Sequence, residues 1–328
     1  MSESRELLVE TRHVTKIYPV SGKGRLVADC DVNLKFYRGR TLGIVGESGC
    51  GKSTLMRMLV SLERPTEGEI FYRGQDITKL KGEMLRQHRQ KIQMIFQDPA
   101  AAFHPGMKVM DIVCEPLMNF KRIKRKEKEA AARKLLEMVE LPGDFALRYP
   151  REMSGGQRQR VGIARALALE PELVICDEAT SALDVSVQKT VIELLVKLQK
   201  EKHISYAFIS HDIALVRAVS HEVAVMYLGN IVEVLPGEKL ASGGLHPYTR
   251  ALAGSVIDLD TDPDRRIERL EGEPPSSLSV PEGCPFYSRC RQRREVCGKE
   301  RPGLREIGEG HQVACHLFCG PQSFPLQQ

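Results

Sequence analysis

The sequence lacks any apolar run approaching the roughly 18 residues needed to cross a bilayer, so no membrane-spanning helix is expected. Its opening, MSESRELLVE, lacks a basic stretch followed by an apolar one. No secretory signal is expected, and the protein is expected to stay where it is made. A strong charge imbalance is also missing. Lys and Arg number 48 against 43 Asp and Glu, a net +5 over 328 residues, which is weak support for a nucleic-acid partner. No basic segment is interleaved with aromatics of the kind that stack on bases. Internal repeats and low-complexity tracts are absent too. With 42% hydrophobic and 28% charged residues the composition is that of a globular chain, which excludes collagen-like, disordered and coiled-coil proteins. The chain is long enough for a sizeable core, as two domains or one large domain with an appendage.

The densest basic run, KRIKRKEK at residues 121–128, leads into a helix-like pattern of charges and leucines. It reads as the solvated start of a helix rather than a membrane-surface or nucleic-acid patch. Nine cysteines are more informative. Cys30, Cys50, Cys114 and Cys176 are scattered, whereas Cys284, Cys290, Cys297, Cys315 and Cys319 crowd the end of the chain. Without an export signal, disulfides explain them poorly, and a crowded reduced set points to a metal or cluster. Cys114 and Cys176 read as small core residues, Cys50 as a filler, and Met107 and Met110 as packing residues.

LLVETRHVTKIY and LVADCDVNLKF alternate as half-buried strands do, while TLGIV, residues 41–45, is apolar throughout, as a buried strand is. A glycine-rich turn and the helical run STLMRMLVSLE follow. Residues 100–170 are mostly helical in pattern. LVICD and YAFIS are further buried strands, separated by helical segments. This alternation predicts an α/β fold with a largely parallel sheet. From about residue 255 the chain turns polar and proline-rich, as a linker or extended arm would be.

Gly46, Glu47, Ser48, Gly49, Cys50, Gly51, Lys52, Ser53 and Thr54 fit the pattern G-x-x-x-x-G-K-S/T. They sit after a buried strand and at the start of a helix, where that pattern binds phosphate. Glycines let backbone N–H groups close around phosphate, and the helix N-terminus adds its positive end. Lys52 supplies a full charge to β- and γ-phosphates, and Ser53 a hydroxyl to Mg²⁺. Asp177 ends the apolar strand LVICD, placed to hold Mg²⁺. Glu178 follows at once, and a carboxylate there suits orienting and polarising an attacking water. Together these motifs specify a nucleoside triphosphatase.

Between them lies MSGGQRQR, in which Ser154, Gly155, Gly156 and Gln157 form a second phosphate-facing helix start without a lysine. Here the chain resembles the ATP-binding cassette (ABC) ATPases. The resemblance implies a P-loop cassette with a mostly parallel core sheet, an antiparallel β subdomain and a helical subdomain at about residues 100–165. It places Tyr18 at the adenine-stacking position and Gln97 in the glutamine loop, a further Mg²⁺ ligand. It assigns residues 154–157 to the signature, residues 181–184, ending in Asp184, to the loop that crosses to a partner, and His211 to the γ-phosphate switch. Glu178, His211 and Gln97 are its implied catalytic residues. Met153 and Ala179 depart from the family pattern, in place of the usual leucine and a common proline, and both swaps are apolar. The resemblance further implies that two cassettes sandwich two ATP molecules, each between one subunit's phosphate loop and the other's signature.

Cys284, Cys290, Cys297 and Cys315 are spaced C-x5-C-x6-C-x17-C, which fits the knuckles of a zinc ribbon poorly. Spacing alone leaves an iron–sulfur cluster, a zinc site and free thiols open. The surrounding HPYTRAL, EGEPPS and CPFYSRC resemble the C-terminal extension of ATP-binding subunits of oligopeptide and dipeptide importers, most like the second, F-type, ATPase of a dipeptide importer. That resemblance implies a nucleotide-binding domain over residues 1–255 and a cysteine-bearing extension over 256–328, with a 4Fe–4S cluster on these four cysteines. It also implies a second ABC ATPase as heterodimer partner, two membrane permease subunits and a periplasmic or extracellular solute-binding protein. No nucleic acid is implied, and the expected place is the cytoplasmic face of a bacterial inner membrane, held peripherally. The contrasting reading is a soluble ABC ATPase acting on nucleic acid or ribosomes. Against it stand the single cassette and the short stretch between Gln97 and Ser154, with no room for a long coiled coil.

Overall fold

The apolar run Thr41–Val45 is buried along its whole length, as a short run bounded by turns should be. The structure, a computed structural model, describes residues 5–20, 22, 24–97, 103–180, 183–254, 272, 275, 276, 278 and 280–318. In chain order its elements are β1 (Leu7–Val20), β2 (Gly24–Tyr37), β3 (Thr41–Val45), α1 (Lys52–Leu59), β4 (Glu67–Tyr72), β5 (Gln75–Asp76), α2 (Gly82–Arg89) and β6 (Ile92–Ile95). Next come α3 (Val109–Asn119), α4 (Lys128–Met138), α5 (Gly155–Leu167), β7 (Leu173–Asp177), α6 (Val185–Lys202), β8 (Ser205–Ile209) and α7 (Ile213–Val219). The chain continues with β9 (Glu222–Tyr227), β10 (Asn230–Pro236), α8 (Pro247–Gly254), α9 (Glu295–Lys299), β11 (Arg305–Gly308) and β12 (His311–Val313). The proposed arm falls mostly on residues 255–271, outside the described set.

The elements fall into two compact units. One is built on Leu80–Ile209 with Tyr37–Arg40. In it β6, β7 and β8 lie side by side and parallel. Residues 173–176 of β7 have no exposed surface, and Cys176 is part of that core, as is Cys114 on α3. Met107 and Met110 are half-buried. The basic run before α4 is largely exposed, and Lys128 pairs with Asp111 on α3.

The other unit comprises Leu7–Phe36, Thr41–Lys79 and the chain from Ser210 onward. It carries one sheet in the order β2-β1-β4-β5 and a run of strands in the order β11-β12-β10-β9-β3. β3 pairs with β9 in parallel, and the other pairings along that run are antiparallel. β1 departs from strict alternation for a local reason. Its register shifts between Arg12 and Thr15, with His13 at φ 51°. The buried positions therefore change phase, from Val9 and Thr11 to Val14, as a bulge requires. Helix α1 is shorter than the apolar pattern suggests, because Ser61 at φ 55° turns the chain and leaves Leu62 exposed.

Beyond the β10–β12 strand pairing, a buried carboxylate ties the C-terminal hairpin β11–β12 to β10. Glu233 is fully buried and accepts from the Leu245 and His246 N–H groups at 2.7 and 3.0 Å. It also bonds His311 Nε2 at 2.7 Å. Despite burial, these donors hold its pKa below the usual carboxylate range.

Candidate active site

The phosphate loop belongs to the second unit. β3 delivers the chain to Gly46, and α1 starts at Lys52. Gly51, the N-cap, has φ +112°, and a Cβ there would lie 2.4 Å from the Ala28 carbonyl oxygen, so only glycine fits. Lys52 is 5% exposed. Its Nζ donates to the carbonyls of Gly46 and Glu47 at 2.7 and 2.8 Å. The ammonium is thus held inside the loop. Ser53 and Thr54 lie on the first turn of α1. Cys50 is buried, and burial pushes its thiol pKa up, so it is no nucleophile. The β9–β10 turn supports the loop from behind: Gly229 N–H donates to the Cys50 carbonyl at 2.8 Å.

Tyr18 lies on β1 in the same unit. Its hydroxyl donates to Glu63, which follows α1, and the Lys16 ammonium sits 4.9 Å from the ring centre. Burial, and then Glu63, push the phenol pKa up to about 12. The ring is therefore fixed, neutral and half-buried. His211 also belongs to this unit, between β8 and α7, and is exposed.

The first unit carries the remaining motif residues. Asp177 ends β7, half-buried, and Glu178 follows at φ 49°, its N–H donating to the Ile209 carbonyl at 3.1 Å. A non-glycine residue at positive φ is uncommon. Ser154 is the N-cap of α5. Its hydroxyl accepts from Gln157 N–H at 3.3 Å, while its own N–H donates to Gln157 Oε1 at 2.9 Å. This capping box makes Gly155 and Gly156 the first turn of the helix rather than a loop before it. Met153 is buried, so its apolar swap keeps the packing. Gln97 is exposed just after β6, beside Phe96, which is 45% exposed. Asp184 caps α6, whereas Ser181 and Ala182 lie outside the described residues.

The second unit also holds the four cysteines of the C-terminal segment. Cys284, Cys297 and Cys315 are buried, Cys290 is half-buried, and all four are free thiols. Cys284 N–H donates to the Cys297 carbonyl at 2.8 Å. Burial first, and then neighbouring thiols, raise Cys284 to about 11 and Cys315 to about 12. The neighbouring thiols that act on Cys315 are those of Cys284, Cys290 and Cys297. Among the described residues, however, no group of three or more His, Cys, Asp or Glu is arranged to hold a metal ion. A single zinc would draw its sulfurs to roughly 3.8 Å from one another. Cys319 lies outside the described residues.

Several of these contacts carry no local sequence signal. Tyr248 and Arg289 fall within HPYTRAL and CPFYSRC, which say nothing of what they bond, and Glu233 falls in no motif; all three side chains are buried and bonded within this unit. For Glu233 the one hint was a lone charge in the apolar run NIVEVLP.

Residues 30–181 match the family described as ABC transporter, and residues 232–297 match the oligopeptide/dipeptide transporter C-terminal region. The oligopeptide transport ATP-binding protein AppF of Bacillus subtilis is 45% identical, over 96% of this chain and 98% of that one. The chain belongs to the ABC transporter ATP-binding family. The di/tripeptide transport ATP-binding protein DppF of Pseudomonas aeruginosa is 42% identical, over 95% and 98% of the two chains. Among solved structures, a dimeric post-hydrolysis ATP-binding cassette bound to ADP and Pi aligns with TM-score 0.64 at 32% identity. It covers 70% of this chain and 98% of that one. The ABC cassette fold is thereby established, and with it ATPase activity. Among the described residues no helix is long and apolar enough to cross a membrane.

Proposed function

We propose that this ABC ATPase energises the import of peptides through a separate membrane permease. The carrying observation is the match of residues 232–297 to the oligopeptide/dipeptide transporter C-terminal region, joined to a complete set of nucleotide motifs. Residues 1–255 are the nucleotide-binding domain and 256–328 the extension. The partners are a second, different ABC ATPase, two permease subunits and a periplasmic or extracellular solute-binding protein. The chain works peripherally at the cytoplasmic face of the membrane, and the exposed Phe96 beside Gln97 suits contact with a permease.

In this reading Tyr18 stacks on adenine, and the loop from Gly46 to Thr54 wraps the phosphates. Lys52 offsets charge on the β- and γ-phosphates. Ser53, Gln97 and Asp177 offer oxygen ligands of the kind Mg²⁺ takes, and the ion supplies charge neutralisation when bound. Glu178 orients and polarises the water, and His211 contacts the γ-phosphate. Ser154 through Gln157, with Asp184 behind them, serve the ATP of the partner subunit. The test is the transporter assembled in proteoliposomes. Peptide-loaded binding protein should stimulate ATP turnover. Stimulation only by sugar- or metal-chelate-loaded binding proteins would overturn the peptide assignment.

Cys284, Cys290, Cys297 and Cys315 are in this reading the ligands of a structural 4Fe–4S cluster. Four free thiols in one segment, three of them buried, suit it. When bound, the cluster would staple a segment with few core residues of its own. Anaerobic purification with iron and sulfide analysis decides it. Each of the four changed singly to serine should bleach the protein, and Cys319→Ser should not. Stoichiometric zinc without sulfide would sink the cluster.

A further inference from the structure

The geometry points to Arg289 as a positioning residue for the phosphate loop, through which the cysteine-bearing segment sets ATP affinity. This rests on reading residues 46–54 as the ATP site. Arg289 ends a short 3-10 turn, Tyr287–Arg289, directly before Cys290. Its N–H donates to the Phe286 carbonyl and that of Cys290 to the Tyr287 carbonyl, at 3.1 and 3.3 Å. One turn therefore fixes the direction of both side chains.

The Arg289 side chain is 5% exposed, which is rare for arginine unless it is paired. Its two terminal nitrogens donate to the two Glu47 carboxylate oxygens at 2.8 and 3.1 Å, a bidentate pair. Nη1 also donates to the Tyr227 hydroxyl at 3.3 Å. Glu47 is the second residue of the phosphate loop, and its carbonyl is one of the two that hold Lys52. Its N–H donates to the Tyr248 hydroxyl at 2.9 Å. Both the main chain and the side chain of Glu47 are thus tied. The rings of Tyr227, Tyr248 and Phe286 form the wall behind, with centroids 4.7–5.5 Å apart.

The consequence is electrostatic. A free carboxylate in a loop that must accept a triphosphate repels it. Arg289 neutralises Glu47 and pins it, leaving the positive field of Lys52 and the helix start unopposed. Any chemistry that unfolds the turn at Cys290 withdraws Arg289 as well, and the loop then carries an unpaired negative charge.

The experiment is titration of Mg-ATP against the purified full-length chain by calorimetry, with thermal unfolding recorded for every variant. Arg289→Ala should weaken ATP binding about tenfold. Arg289→Lys keeps the charge but not the fork, and should fall between it and the wild type. Glu47→Gln should cost less than threefold, and Arg289→Ala combined with Glu47→Gln should recover to within threefold of Glu47→Gln alone. Arg293→Ala, whose guanidinium meets the Ser288 carbonyl and the Tyr287 ring in the same segment, should bind ATP normally. Wild-type affinity in both Arg289 variants would overturn the proposal. So would a double variant as weak as Arg289→Ala, because a merely structural arginine is not rescued by removing its partner's charge. Lys52→Ala should abolish binding. If it does not, the reading of the loop as the ATP site falls, whatever the Arg289 variants do.

Discussion

His246 is 1% exposed, and burial pushes its pKa from 6.5 down to about 4. His88, on the other unit, is buried and is likewise pushed to about 4. In the unfolded chain both bind a proton at higher pH than they do when folded. Their stability contribution is therefore complete above about pH 6.5 and is lost as pH falls toward about 4. Asp29 works the other way: burial raises its pKa well above the usual value, so rising pH costs stability there. Urea midpoints should fall for the wild type between pH 7 and pH 5. They should fall less for His246→Asn, whose amide can still accept the Tyr248 N–H that now reaches Nδ1. An unchanged pH slope in that variant contradicts the account. At this scale the sequence was legible where backbone chemistry dictates residue type. Gly51, Lys52 and Asp177 are tied to fixed spacings because phosphate and Mg²⁺ demand them. Arg289 was legible as part of CPFYSRC but not as a partner of the phosphate loop, because only long-range packing buries its side chain against Glu47.

α5 shows what one element's spacing encodes. A Cβ on Gly156 would lie 2.4 Å from Val187 Cγ1 on α6. Valine in a helix has one strongly preferred χ1, so Val187 does not swing aside easily. Gly156→Ala should therefore cost roughly 1–3 kcal/mol of stability by overpacking. Thermal unfolding checks it, and an unchanged melting temperature would refute the close approach. Gly156 of the signature thus serves helix packing. The buried strands β3, β7 and β8 were readable from their short, continuous apolar runs. The bulge in β1 and the end of α1 were not, because each depends on one residue at positive φ, His13 and Ser61, which no periodicity announces.

At the scale of the molecule, we propose that the motifs on this chain form two half-sites, each completed by a partner cassette. Ser154 then acts on the ATP of a partner, and the phosphate loop waits for the partner's signature. The isolated chain should accordingly turn over ATP poorly, and steady-state assays across protein concentration check this. Vigorous, cooperative turnover by the pure chain would favour a homodimer over the heterodimer. We propose that ATP hydrolysed with Glu178 drives transport, and Glu178→Gln in the assembled transporter is the decisive variant. The amide keeps the shape and loses the charge that orients water, a loss of about 3 kcal/mol and roughly a hundredfold in rate. ATP hydrolysis and solute uptake measured together in proteoliposomes should both fall by about that factor while ATP binding persists. Near-normal turnover and uptake would contradict the account.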